Sequence, residues 1–126
     1  YKRQTRMDYS ARSPENGDNA LFPMPPLTEQ ALRVAVRRLD LASAVTFDEE
    51  FHRAWEEAIQ TDSTVPMHTF LYRWGVFVEL RRYPRRAARL QELERAVAEA
   101  TDRNEVREPA REISVMLSEA ARQVER

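Results

Sequence analysis

The 126-residue chain contains no cysteine. Disulfides and thiolate metal sites are therefore excluded. Its only glycines are Gly17 and Gly75, too few for the glycine-rich loops that cradle phosphate groups. Its only histidines are His52 and His68, and no nucleophile elbow or oxyanion-type turn accompanies them, so serine or cysteine hydrolase chemistry has no foothold. No apolar run approaches the roughly 18 residues of a membrane span, and no signal-peptide pattern is present. A cytoplasmic location, no membrane partner and no cofactor are the corresponding expectations. Charge of one sign is lacking too. The formal net charge is −1, which argues against a strongly basic nucleic-acid binder at whole-chain level.

What is present is charge of both signs and enough apolar residues for a core. Charged residues make up 33% of the chain and hydrophobic residues 42%, so one domain with a heavily ionised surface is expected. All but Lys2 of the 20 basic residues are arginine. Arginine offers planar bidentate contacts where lysine offers a point charge.

Residues 1–26 differ from the remainder. They carry Pro14, Pro23, Pro25, Pro26 and Gly17 among Ser, Asn and Asp, with no helical period. They predict a flexible arm, disordered over 1–20 and extended through the apolar stretch Leu21 to Leu27. Residues 27–126 form the second region, and their patterning is helical throughout. Thr28 caps a helix to about Asp40, with Leu32, Ala35, Val36 and Leu39 on one stripe. A short link over Leu41 to Val45 is expected next. A second helix then runs from Thr46 or Phe47 to about Thr61, its stripe being Phe47, Phe51, Ala54, Trp55, Ala58 and Ile59. Its other face is acidic, and Asp48, Glu49 and Glu50 suit the first turn of a helix dipole.

Pro66 fits the start of a third helix. Met67, Phe70, Leu71, Trp74, Phe77 and Val78 form its main stripe, and Tyr72, Val76 and Leu80 make it apolar on more than one side, as befits a central helix. Gly75 in its middle costs about 1 kcal/mol relative to alanine and points to close approach by a neighbour. Pro84 separates a fourth helix running to about Ala100, with Ala87, Leu90, Leu93, Val97 and Ala100 near heptad spacing. Asp102 and Glu105 have capping-box spacing. The last helix carries Val106, Ile113, Met116, Leu117, Ala120 and Val124 as its stripe. Pro109 implies a kink there, or a helix that starts at Pro109. The reading is an all-α bundle of about five helices ending in an αα-hairpin.

His52 and Glu56 stand four apart on one helical face, a spacing that can place two metal ligands together. A structural zinc site takes four protein ligands and a catalytic site three, so a surface ion pair is the simpler reading and no metal is expected. Adjacent glutamates such as Glu56 and Glu57 point about 100° apart and share no site.

Three features bear on function. Arg81, Arg82, Arg85, Arg86 and Arg89 fall within nine residues free of acids. Such a cluster is solvated or paired internally, for example with the acidic face of the second helix, or it meets a partner's acidic surface, or it meets phosphates. On duplex DNA, five neutralised phosphates would give a log–log salt slope of about −4.5. The second feature is the apolar segment holding Phe22, Met24 and Leu27, which either folds onto a partner or packs on its own bundle. The third is surplus apolar surface, which admits a homodimer.

The segments 70–94 and 100–117, preceded by 23–36, resemble a family of short actinobacterial helical proteins classed as a domain of unknown function. The resemblance runs from about Pro23 to Val124. It rests on Phe70, Leu71 and Trp74, on the Pro-Arg-Arg-Ala-Ala-Arg-Leu run 84–90, and on the stretch 100–108. It implies a helical protein without assigned catalysis, and an antitoxin-like role, since some members are encoded beside small toxin-like genes. It carries no functional residues across. The resulting expectation is a non-enzymatic protein-binding module that neutralises a small toxin, with Phe22, Met24, Leu27 and the five arginines as its contact residues. The alternative is a DNA-binding transcriptional regulator that uses the arginine-rich junction.

Overall fold

The computed structural model describes residues 19–125, and the expected disorder of the arm therefore falls almost wholly outside them. The described residues hold five α-helices and no strand: α1 Glu29–Leu39, α2 Leu41–Thr61, α3 Val65–Arg81, α4 Pro84–Glu99 and α5 Arg103–Glu125. No helix among them is long and apolar enough to cross a membrane.

Local signals explain most of the boundaries. The Thr28 hydroxyl oxygen accepts the Ala31 N–H at 3.2 Å and starts α1, satisfying one of the four donors a helix N-terminus leaves open. The expected link over Leu41 to Val45 is instead the first turn of α2. Asp40 is both the last cap of α1 and the first cap of α2. Its carboxylate accepts the Ala42 N–H at 3.3 Å and the Ser43 hydroxyl at 2.7 Å, and the Ser43 bond holds its pKa below the usual value. A single extended residue thus replaces a loop.

α2 ends at Asp62, which adopts the left-handed conformation, φ 53° and ψ 50°; short polar Asp tolerates this region better than most residues. Pro66 lies in the first turn of α3 as expected. α5 opens on Asp102, whose carboxylate accepts the Glu105 N–H at 2.9 Å. Glu105 reaches back to the Thr101 N–H at 2.8 Å, one residue earlier than the usual box. The helix runs unbroken through Pro109 rather than starting there.

α3 is the central helix and serves two apolar clusters. The larger joins Leu32, Ala35 and Val36 of α1, Phe47 of α2, and Phe70, Trp74 and Val78 of α3. Phe47 is wholly buried and meets Phe70 and Trp74 edge-on, with centroids 4.9 and 5.2 Å away. Each large side chain so buried contributes about 1.5–3 kcal/mol. The Trp74 indole N–H donates to Glu50 at 3.0 Å, as a buried tryptophan requires. The smaller cluster joins Leu80 of α3, Leu90 of α4 and Ala120 of α5, backed by Val76, Ile113 and Met116. α4 and α5 form the expected antiparallel hairpin, packed onto α3. Leu117, assigned to the α5 stripe on sequence, is 44% exposed and lies outside it.

Gly75 owes its place to a crowded crossing. A methyl group there would lie 2.7 Å from Leu27 and 3.3 Å from Val124 of α5. Leu27 is therefore seated on α3, while Phe22 and Met24 pack against the larger cluster. The stretch from Leu21 to Leu27 thus lies against the bundle.

Candidate functional site

The α3–α4 corner gathers the arginines, and it does so around one buried acid. Glu79 is 4% exposed. Arg82 Nε donates to one of its carboxylate oxygens at 2.9 Å. Arg86 Nη2 donates to the other at 3.0 Å and to the Glu79 carbonyl at 2.8 Å. Both guanidiniums lie over the Tyr83 ring, at 4.7 and 4.3 Å from its centroid. Arg82 also donates to the Phe22 carbonyl at 3.0 Å, and the Leu21 N–H donates to the Arg82 carbonyl at 2.7 Å. These two bonds fasten the apolar segment to the corner.

The remaining arginines follow separate paths. Arg89 donates through Nε and Nη2 to both oxygens of Glu112, each at 2.8 Å, and through Nη1 to Glu92 at 2.8 Å. The fork-to-fork contact with Glu112 ties α4 to α5. It raises the Arg89 pKa and lowers that of Glu112. Arg81 stacks on Phe77 at 3.9 Å. Burial pulls its pKa down, opposed by the charges of Glu94 and Asp40. Arg85 is on the exposed side of the corner.

The sequence reading offered the acidic face of α2 as the internal counter-charge. Among the described residues, the acids hydrogen-bonded to Arg82, Arg86 and Arg89 include Glu79, Glu92 and Glu112, none of them on α2. Of the apolar half of the expected contact set, Phe22 and Met24 pack against the larger cluster, while Leu27 lies beside Gly75 and stays 37% exposed.

A cleft of about 590 Å³ lies beside this corner, between the start of the described chain, α1, α2, α3 and α4. Its polar lining is Arg38, Asp40, Ser43, Arg81, Gln91 and Glu94. The Ser43 hydroxyl donates to Asp40 in the helix cap, and no histidine lines the cleft to act as its base. Among the described residues, no group of three or more His, Cys, Asp or Glu can hold a metal ion.

The surface that stands out was not singled out on sequence. Leu41, Val45, Trp55 and Ile59 are between 54% and 73% exposed. With Asp48 and His52 they occupy α2 at steps of 4, 3, 4, 3 and 4 residues. At 3.6 residues per turn these six positions share a stripe about 80° wide. Trp55 and Ile59 were assigned to the buried face; they lie instead on this parallel outer stripe, roughly 100° around the helix from Phe47, Phe51, Ala54 and Ala58. Arg33 of α1 donates to Oδ1 of Asp48 at the middle of the stripe. Glu49 and Glu56 border its far edge. No family model matches the chain, and no curated protein and no solved structure does either.

Proposed function

We propose that the protein is a non-enzymatic protein-binding module and that its binding face is the outer stripe of α2. The observation that carries this reading is the row of large apolar side chains, Leu41, Val45, Trp55 and Ile59, exposed in register along a continuous helix. Scattered exposed apolar residues are ordinary on a protein surface, but large apolar side chains recurring along one helix face mark a candidate interaction site. An exposed tryptophan is also the residue type most enriched at binding hot spots. Helix-on-helix or helix-in-groove recognition uses this 4–3 spacing.

The antitoxin-like form of the reading, with a small toxin as partner, comes from the resemblance to the actinobacterial family. The stripe is compatible with it and does not select it. The DNA-binding alternative draws less support, because Arg82, Arg86 and Arg89 are engaged by carboxylates of the same chain and a phosphate backbone would have to displace them.

The test is a pull-down from nuclease-treated native lysate, washed at low and high salt and read by mass spectrometry. The wild type is compared with a Val45→Ala/Ile59→Ala double variant, which keeps helix propensity and touches no buried residue. One stoichiometric protein retained in high salt by the wild type, and lost by the variant, supports the reading. Equal retention by both removes the α2 stripe from it. Capture that depends on omitting the nuclease favours nucleic acid.

A further inference from the structure

The outer stripe of α2 is self-complementary, and we infer that its occupant is a second copy of this chain, paired antiparallel about a two-fold axis near residue 50. The inference rests on the protein-binding reading of that face and names the partner.

Two observations carry it. The first is the order of residues. Leu41, Val45, Asp48, His52, Trp55 and Ile59 read apolar, apolar, ionisable, ionisable, apolar, apolar, and the 4–3–4–3–4 spacing is the same from either end. Antiparallel pairing sets Leu41 against Ile59 of the second copy, Val45 against its Trp55, and Asp48 against its His52. Each contact occurs twice, as an isologous interface demands. Four apolar layers then flank two Asp–His contacts at the centre.

The second observation is charge. Arg33 uses Oδ1 of Asp48, and the Asp48 side chain remains 50% exposed. Oδ2 has no hydrogen-bond donor among the described residues, so it is available to an imidazole N–H. Parallel pairing would instead oppose Asp48 with Asp48, which like-charge repulsion disfavours. Glu49 faces its own symmetry mate near the axis, a like-charge contact that opposes the pairing. At a net charge of −1, two copies have little general repulsion to overcome. The stripe is about 27 Å long, and one helix pair of that length falls at the small end of specific interfaces. A dissociation constant of about 1–100 µM is expected.

The cysteine-free sequence makes the register directly testable. Full-length Leu41→Cys and Ile59→Cys proteins are prepared separately, mixed at about 50 µM and mildly oxidised. Antiparallel pairing yields the mixed disulfide, at least fivefold over both symmetric ones, because two copies of position 41 lie about 27 Å apart. Symmetric disulfides in excess, or the random ratio, overturn the inference.

Sedimentation equilibrium of the unmodified chain supplies the affinity. His52→Glu, which opposes two carboxylates, weakens association at least tenfold. His52→Arg retains it, and Glu49→Ala tightens it. Both positions are exposed, and circular dichroism verifies that the helices are intact. Trp55 emission shifts to the blue on dimerisation, whereas Trp74 is already buried. A chain that stays monomeric at 500 µM, or whose association ignores both His52 variants, overturns the inference. The broader reading fails on a different result, namely retention of a captured partner by Val45→Ala/Ile59→Ala.

Discussion

Glu79→Gln tests whether the arginine corner is held by an internal counter-charge. The side chain of Glu79 is 5% exposed, and its partners Arg82 and Arg86 are 13% and 30% exposed. The substitution keeps shape and removes the buried charge that Arg82 and Arg86 share. Removing one partner of a buried pair costs about 3–5 kcal/mol. Two features reduce that figure here. Arg86 retains some contact with water, and Arg82 keeps its bonds to the Phe22 carbonyl and the Tyr83 hydroxyl. A loss of about 2–3 kcal/mol follows, which for a domain of this size lowers Tm by about 10–20 °C.

Urea titration followed by far-UV ellipticity measures it, with an unchanged m-value showing that the denatured state is not the cause. Arg86→Met should cost less than Glu79→Gln, since it leaves Glu79 its stronger-buried partner Arg82. A loss below about 0.5 kcal/mol for Glu79→Gln, the level of exposed pairs, would refute the argument. The corner's charges would then be solvent-screened and open to an external anion.

Phe47→Ala removes the ring at the centre of the larger cluster and should cost about 3–5 kcal/mol; a urea midpoint near that of wild type would show that the three-ring contact is dispensable. Asp62→Gly relieves a left-handed residue and should stabilise by up to about 1 kcal/mol, read as a rise in Tm. Glu112 has its pKa lowered by Arg89 from the usual 4.5. Its contribution to stability is thus complete above that value and fades as pH falls below it. The Tm difference between pH 7 and about pH 3 should be smaller in Glu112→Gln than in wild type, and an unchanged difference counts against the α4–α5 bridge.

The helices were legible in the sequence because their signals are local. Thr28 and the Asp102–Glu105 pair mark starts, and Leu32, Ala35 and Val36 mark a buried face within three turns. Asp40 was misread because one residue serves both helices, and the apolar, alanine-containing stretch after it resembles a link as much as a first turn. Trp55 and Ile59 were misread for a different reason. α2 carries two apolar stripes, and choosing the buried one depends on where α1 and α3 lie, which no local pattern encodes.

The Glu79 pairing was within reach, since Glu79 precedes Arg82 by three residues and Arg86 by seven. Pro84 marks a break between helices, and the pairing crosses that break, which helical spacing alone does not encode. The seating of Phe22 rests on contacts with Arg38 and Arg82, well removed in sequence, and segment composition alone leaves both outcomes open.

Among the described helices, the two apolar clusters are joined through α3, and they are unequal. One has seven buried residues and the other three. Cooperative opening tends to follow such divisions. The α4–α5 hairpin can detach while α1, α2 and α3 remain folded around Phe47, Phe70 and Trp74. Backbone amides of α4 and α5 should accordingly exchange with solvent through a lower-energy opening than those of α3. The stripe on α2 belongs to the half that opens last, so the chain would keep its contact face even while its C-terminal third is transiently unravelled.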